Sequence, residues 1–452
     1  MNASKAWEAL AGRPTVRVFF SARALLLAAL ALHLVWIGVL WLAASTTWLE
    51  SLAPRDWLAT LAPSYRRLPL AFVYSLAAGL AAILMPVRLG AWLRARAQRL
   101  LQNEWRALAA VCLVILLLGA GYARFHRGYA DELLIFAISK GVATAGVQVY
   151  FAHYSETLWL GRQHPPLIPL MYGFVLWLAG PSLFLVRLLS LAFGIGALIL
   201  TYALSREFYD REPSVLAALL FGTMPLFYWA GASGLGDVPL TFLFLLGVYL
   251  TLRLAQRPTL RLALAAAAAL GTGLLFKYTM VLVYPVLLLA ALVFPRLRRH
   301  RFHLAAILLL SSSFLAGWVA FAYRNGILGG QVRALTHLAA MSTSNPITPW
   351  MVRQLAAQLL PGLGMYNLPW IALGAVALLR RRSRADVFVL LWIAAVALPL
   401  LVTLPNHRYF LPVFPALAIM GAHGLRQRSA ATERAIVLAL LCCTSAFFWR
   451  VN

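Results

Sequence analysis

Apolar runs long enough to cross a lipid bilayer recur along this 452-residue chain, and nothing else constrains its fold as strongly. A helix needs about 20 residues to traverse the hydrocarbon layer. Suitable runs fall at 24–43, 68–87, 107–123, 183–204, 213–231, 236–256, 260–276, 279–294, 303–323, 360–379, 385–404, 409–424 and 432–449. This pattern predicts an all-α polytopic membrane protein with about thirteen transmembrane helices. Hydrophobic residues make up 62% of the chain, against roughly 45–50% in a soluble domain, so water cannot be its main solvent.

The charge balance supports the same reading. Lys and Arg number 39 against 13 Asp and Glu, a net charge of +26 that would suggest nucleic acid binding in a soluble protein. Here the cations are spread over short loops, as the positive-inside rule requires, and no nucleic acid partner is expected. Cys112, Cys442 and Cys443 all lie inside apolar runs, with no spacing for a metal cage or a disulfide framework. Lys5, Arg13, Arg17 and Arg23 precede a run that lacks a small-residue cleavage site, which predicts a retained first helix.

Loop charge also sets the topology. The segment 165–180, PPLIPLMYGFVLWLAG, is apolar, but counting it as a span would send every later arginine cluster outside. Read as a juxtamembrane helix, it leaves Arg94/Arg96/Arg99, Arg206/Arg211, Arg253/Arg257/Arg261, Arg296/Arg298/Arg299/Arg301, Arg380/Arg381/Arg382/Arg384 and Arg426/Arg428 on one side. That side is then cytoplasmic, together with the N-terminus. The long loops 124–182 and 324–359 fall outside, with room for amphipathic helices and a substrate cleft. Residues 1–106 read as an accessory pair of spans with a basic linker, and 107–452 as one compact unit.

Few acidic residues reach the outer side of that unit. Asp131 and Glu132 open the helical segment DELLIFAISKGVATAG, and Asp237 lies in the tight turn GLGDVPL. An acid at a helix start is favoured by the helix dipole, and Asp237 ahead of Pro239 suits an N-cap, so each has a structural reading beside a catalytic one. His164 stands in GRQHPPLIPL, and Lys277, one of three lysines, stands in GLLFKYTMVL. Lys277 either binds an anionic head group or snorkels to the interface, and Arg324, Arg408 and Tyr409 at outer span ends carry the same two readings. A carboxylate can take a proton from a hydroxyl acceptor, while cations stabilise charge growing on a departing phosphate. The set suits group transfer from a lipid phosphate.

At these residues the chain resembles the lipid-dependent membrane glycosyltransferases of the GT-C fold, the group of protein O-mannosyltransferases and the lipid A aminoarabinose transferase. The resemblance covers roughly 107–424. It rests on the Asp131-Glu132 pair, the HPPL return of that loop, Arg187 in LVRLLS, the GDVPL turn, the FKYTM turn and the RYFLPVFP segment. It implies a polyprenyl-phosphate sugar donor, inversion at the anomeric carbon and Asp131 as general base. It also implies that Asp237 supports the acceptor or the site architecture and that Lys277 lies near the donor phosphate; within the catalytic set Asp131, Glu132 and Asp237, Glu132 is expected to support Asp131. Some relatives bind a divalent metal through an acid ahead of the HPP-like element, where this chain has Gln163. The spans before residue 87 depart from the usual arrangement, in which the acidic loop follows the first span.

The expectation is a glycosyltransferase of a bacterial-type inner membrane. It acts on the periplasmic face with a lipid or envelope glycan acceptor, lipopolysaccharide-like. A secondary transporter or lipid flippase is the alternative, and would show internal repeats and ionisable groups near the midplane. A non-catalytic scaffold would tolerate replacement of the outer acids.

Overall fold

The computed structural model describes residues 22–45, 68–125, 128, 130–154, 156, 164–333, 359–403, 406–426 and 429–444, and among these no strand occurs. The first helices are α1 (Ala22–Ser45), α2 (Leu68–Ile83), α3 (Val87–Leu101) and α4 (Glu104–Phe125). Three shorter ones follow, α5 (Ala130–Ala145), α6 (Val147–Ala152) and α7 (Leu167–Ala179). The middle of the chain forms α8 (Leu183–Arg206), α9 (Arg211–Thr223), α10 (Pro225–Gly231), α11 (Asp237–Leu254) and α12 (Leu260–Phe276). A 3-10 turn at Tyr278–Leu282 leads into α13 (Val283–Val293), α14 (Pro295–Arg299) and α15 (Arg301–Arg324). The last elements are α16 (Leu368–Arg381), α17 (Arg384–Thr403), a 3-10 turn at His407–Val413, α18 (Phe414–Arg426) and α19 (Ser429–Thr444).

Leu- and Ala-rich runs make good helices, and local side chains mark where they start. The Asn103 side chain accepts from the Trp105 and Arg106 amides at the head of α4, and Thr259 accepts from Leu262 at the head of α12. Among the described residues five helices are long and apolar enough to cross a membrane: α4, α8, α11, α15 and Arg384–Leu401 of α17. The expected span 213–231 is broken. Pro225 cannot continue the hydrogen-bond ladder of α9, so α10 departs from it by 67°. Several other apolar helices are shorter than a full crossing, so among the described residues five helices, or six with the bent pair as one span, are long and apolar enough to cross. At 13 residues, α7 extends only about 20 Å, too short to cross alone.

The centre of the bundle is α11, flanked by α8 and α12 and almost wholly enclosed. By contrast α4 and α15 expose Leu113, Leu117, Leu309 and Leu310, an apolar surface suited to lipid. Glycine permits the closest helix approach. A Cβ on Gly374 of α16 would lie 1.8 Å from the Met420 carbonyl oxygen of α18, and one on Gly424 would lie 2.1 Å from the Trp370 carbonyl oxygen.

Helix α19 packs on the N-terminal pair α1 and α2. Tyr74 and Thr444 share a 2.6 Å hydrogen bond, and Arg434 donates to the Met85 carbonyl oxygen at 3.1 Å. Within the pair, His33 and Ser75 lie 3.2 Å apart.

The two ends of the bundle differ in chemistry. At one end lie the arginine-rich connections, where acids pair with arginines: Glu104 with Arg206, Glu207 with Arg253, Asp386 with Arg381 and Asp210 with Arg426. At the other end lie the C-terminus of α4, the N-termini of α8 and α11, the C-terminus of α12 and the His407–Val413 turn. That end holds a cleft.

Candidate active site

The cleft encloses about 580 Å³, counting its open mouth. Asp131, His164, Asp237, Lys277, Arg408 and Tyr409 all line it, so five separate segments of chain converge there. Ile135, Ile138, Ile168 and the rings of Tyr150 and Tyr154 give it an apolar wall.

Two acid–cation pairs organise the polar side. Arg408 Nη2 donates to Asp131 Oδ2 at 2.7 Å, with the side chains 9% and 16% exposed. Lys277 Nζ donates to Asp237 Oδ1 at 2.6 Å and sits 4.0 Å from the centre of the Tyr409 ring. Burial of the side chains strengthens both pairs. Asp237 is the first residue of α11, with Gly236 at the N-cap, and no side chain caps the helix. The local N-cap reading of this acid therefore gives way to a tertiary contact. Lys277 owes its position to chain reversal: α12 ends there in extended backbone before the Tyr278–Leu282 turn. Arg408 and Tyr409 ride on the turn that starts at Asn406, whose side chain accepts from the Arg408 amide at 3.2 Å.

Glu132 lies behind the lining. Fully buried, it accepts from Arg187 Nε at 2.7 Å and Arg187 Nη2 at 2.9 Å, a bidentate pair. Its Oε1 also accepts from the Gly234 amide at 2.8 Å, and Arg187 Nη1 donates to the Ala123 carbonyl oxygen at 2.8 Å. Glu132 thus ties α5, which carries Asp131, to α8 and to the turn ahead of Asp237. The turn is tightly seated: a Cβ on Gly236 would meet Ile168 at 2.1 Å and one on Gly234 would meet Val186 at 2.7 Å.

His164 is held at the cleft wall, where its carbonyl oxygen accepts from the Tyr154 hydroxyl. Burial, with the nearby cations Lys277 and Arg408, holds the imidazole down to about 3, so the ring is neutral at pH 7. Burial pushes the Tyr150 and Tyr154 phenols up, and both stay protonated.

Arg324, the last residue of α15, is exposed and does not line the cleft. Most of the second long loop, 334–358, lies outside the described residues, as does Gln163. Among the described residues no three His, Cys, Asp or Glu side chains converge as metal ligands would. Both cleft acids are instead matched by cations. Arg187 drew notice in the sequence only through the resemblance. Its own signal was present, since an arginine four residues into an apolar helix needs an acid partner. The Tyr150–Tyr154 wall gave no sequence signal beyond i, i+4 spacing.

The helical bundle has a GT-C type fold, shared with solved structures of known membrane proteins. Residues 163–321 match the family described as dolichyl-phosphate-mannose-protein mannosyltransferase. Among solved structures, the chain is similar to ArnT from Cupriavidus metallidurans bound to undecaprenyl phosphate. The identity is 18% and the TM-score 0.55, over 71% of this chain and 59% of that one. The apo state of the same protein aligns at 17% identity and TM-score 0.51, over 72% of this chain and 60% of that one. The chain therefore spans less than two thirds of the length of that protein. No curated protein sequence matches it.

Proposed function

We propose that the protein transfers a sugar from a polyprenyl-phosphate donor to a hydroxyl of a lipid or envelope glycan acceptor. The observation that carries this reading is the joining of Asp131 with Lys277 and Arg408 in one cleft. On this reading Asp131 is the base for the acceptor, and the two cations beside it serve the donor phosphate. The shared fold and the undecaprenyl phosphate bound to ArnT support it.

In this mechanism the acceptor oxygen attacks the anomeric carbon from the face opposite the phosphate, with inversion. Asp131 takes the hydroxyl proton as the new C–O bond forms. The bond from the anomeric carbon to the phosphate oxygen breaks, and its electron pair leaves on polyprenyl phosphate, where Lys277 and Arg408 stabilise the added charge. Asp237 holds Lys277 in place, and Glu132 acts through Arg187 and Gly234 as a positioning residue. Neutral His164 offers a hydrogen bond without competing for the phosphate as a third cation. The arginine-rich helix ends lie opposite the cleft, which supports a periplasmic cleft and a cytoplasmic N-terminus in a bacterial-type inner membrane.

The test is mass spectrometry of envelope glycolipids from cells with and without the gene, followed by transfer assays in proteoliposomes. One glycolipid species lacking a sugar is expected, and Asp131→Asn should abolish transfer while leaving the fold intact. Full activity in that variant overturns Asp131 as base, and counterflow of labelled lipid without chemical change would favour transport.

A further inference from the structure

The Asp131–Arg408 pair conflicts with the simplest view of Asp131 as a base. The guanidinium donates to the carboxylate at 2.7 Å and so occupies one of its oxygens. An acceptor hydroxyl must compete with the guanidinium for that oxygen. Lys277 is likewise matched by Asp237, so before any ligand enters, both cleft cations are already neutralised. An incoming phosphodiester must compete for them.

The two cations differ in how readily they can be shared. Lys277 is held by Asp237 and by the Tyr409 ring together. Arg408 is anchored through its backbone at Asn406, and its Nη2 reaches Asp131 at 2.7 Å beside the cleft. A planar guanidinium matches phosphate geometry well and can offer a phosphate two parallel donors.

We propose that Arg408 is a shared cation: it passes from Asp131 to the donor phosphate, so donor binding is the event that frees Asp131 to act. The inference rests on the glycosyl-transfer reading. It requires the donor to bind before a competent base exists, which prescribes an ordered mechanism. After transfer, departure of polyprenyl phosphate returns Arg408 to Asp131 and resets the site.

A double-mutant cycle on the binding of undecaprenyl phosphate tests it in the purified full-length protein. Asp131→Asn releases Arg408 and should tighten binding roughly tenfold, about 1.4 kcal/mol. In an Arg408→Gln background the same change should alter binding less than about twofold, because the coupling runs through Arg408. Arg408→Lys serves where the glutamine variant folds poorly. It keeps the charge, loses the fork, and should show an intermediate effect. Equal tightening in both backgrounds, or none in either, overturns the exchange while leaving donor binding in place. Absence of undecaprenyl phosphate binding in every variant overturns the donor class itself, and the exchange with it.

An independent observation concerns α3. Arg88, Trp92, Arg96 and Arg99 are all exposed, and their i, i+4, i+8, i+11 spacing puts them on one helix face. The Arg96 guanidinium lies 5.2 Å from the centre of the Trp92 ring, and the helix contains no acid. It links the apolar helices α2 and α4 at the arginine-rich end. We infer that α3 lies in the membrane surface and binds the phosphates of anionic phospholipids. In nanodiscs of mixed phosphatidylglycerol and phosphatidylcholine, native mass spectrometry should find phosphatidylglycerol enriched on the protein. The triple change Arg88→Gln, Arg96→Gln, Arg99→Gln should cut that enrichment at least severalfold. Unchanged enrichment, or none in the unaltered protein, overturns the assignment.

Discussion

Lys277 donates to Asp237 at 2.6 Å across 40 residues of sequence, and both side chains are almost fully buried. Their pairing links the end of α12 to the start of α11 at the cleft. Under the proposed function, replacing Lys277 with Gln removes one of the two cations that serve the donor phosphate, and it leaves Asp237 buried beside one cation fewer. Undecaprenyl phosphate affinity should fall by about ten- to a hundredfold, or roughly 1.4–2.8 kcal/mol. Titration of the lipid against both proteins measures this. Lys277→Arg should recover part of the loss.

The Glu132–Arg187 pair predicts a different pattern. Arg187→Leu leaves Glu132 an uncompensated buried acid and should cost on the order of 3–5 kcal/mol. Thermal unfolding in detergent should show a large loss of stability, with activity falling in parallel. A variant with normal stability but no transfer would instead place Arg187 in contact with substrate.

His164 makes stability depend on pH. Its imidazole is held down to about 3 in the folded protein, against 6.5 ordinarily. Between those values the unfolded chain binds a proton that the folded chain does not, so stability falls as pH drops below 6.5. His164→Gln removes this contribution. Melting temperatures measured at pH 5 and pH 7.5 should differ less for the variant than for the unaltered protein.

Helix packing supplies a fourth prediction. The Cβ introduced by Gly374→Ala would collide with the backbone of α18, which cannot yield as a side chain would. Overpacking typically costs about 1–3 kcal/mol. The strain would reach Arg408 and Tyr409 through the turn that precedes α18, so transfer should weaken as well. Gly317→Ala on α15 is the control, since an added Cβ there meets nothing within 4 Å and the melting temperature should hold.

The apolar runs made most helices legible, because burial in lipid requires a composition that hydropathy detects directly. Backbone path was not legible. A run such as 213–231 is apolar whether straight or bent, and only Pro225 hinted at the break. The starts of 279–294 and 409–424 likewise hide 3-10 turns, and those turns carry the neighbourhoods of Lys277 and Arg408. Asp131, Asp237, His164, Lys277 and Arg408 stood out individually because charge is rare in this chain. Their pairing did not, since Asp131 and Arg408 lie 277 residues apart and one sequence records no partner. Arg324 shows the limit of the same reasoning: a cation at the correct helix end need not reach the cleft.

The contact between Tyr74 and Thr444 spans 370 residues of sequence. For α1 and α2 this means a long wait during synthesis. They precede α19 in the chain by all the other described helices, so a partner they pack against emerges only after those helices have been made. Until then their facing surfaces must be tolerated by lipid or by insertion factors. Assembly at this edge of the protein therefore waits for α19, and α1 and α2 settle against it only after the helices between them have been made.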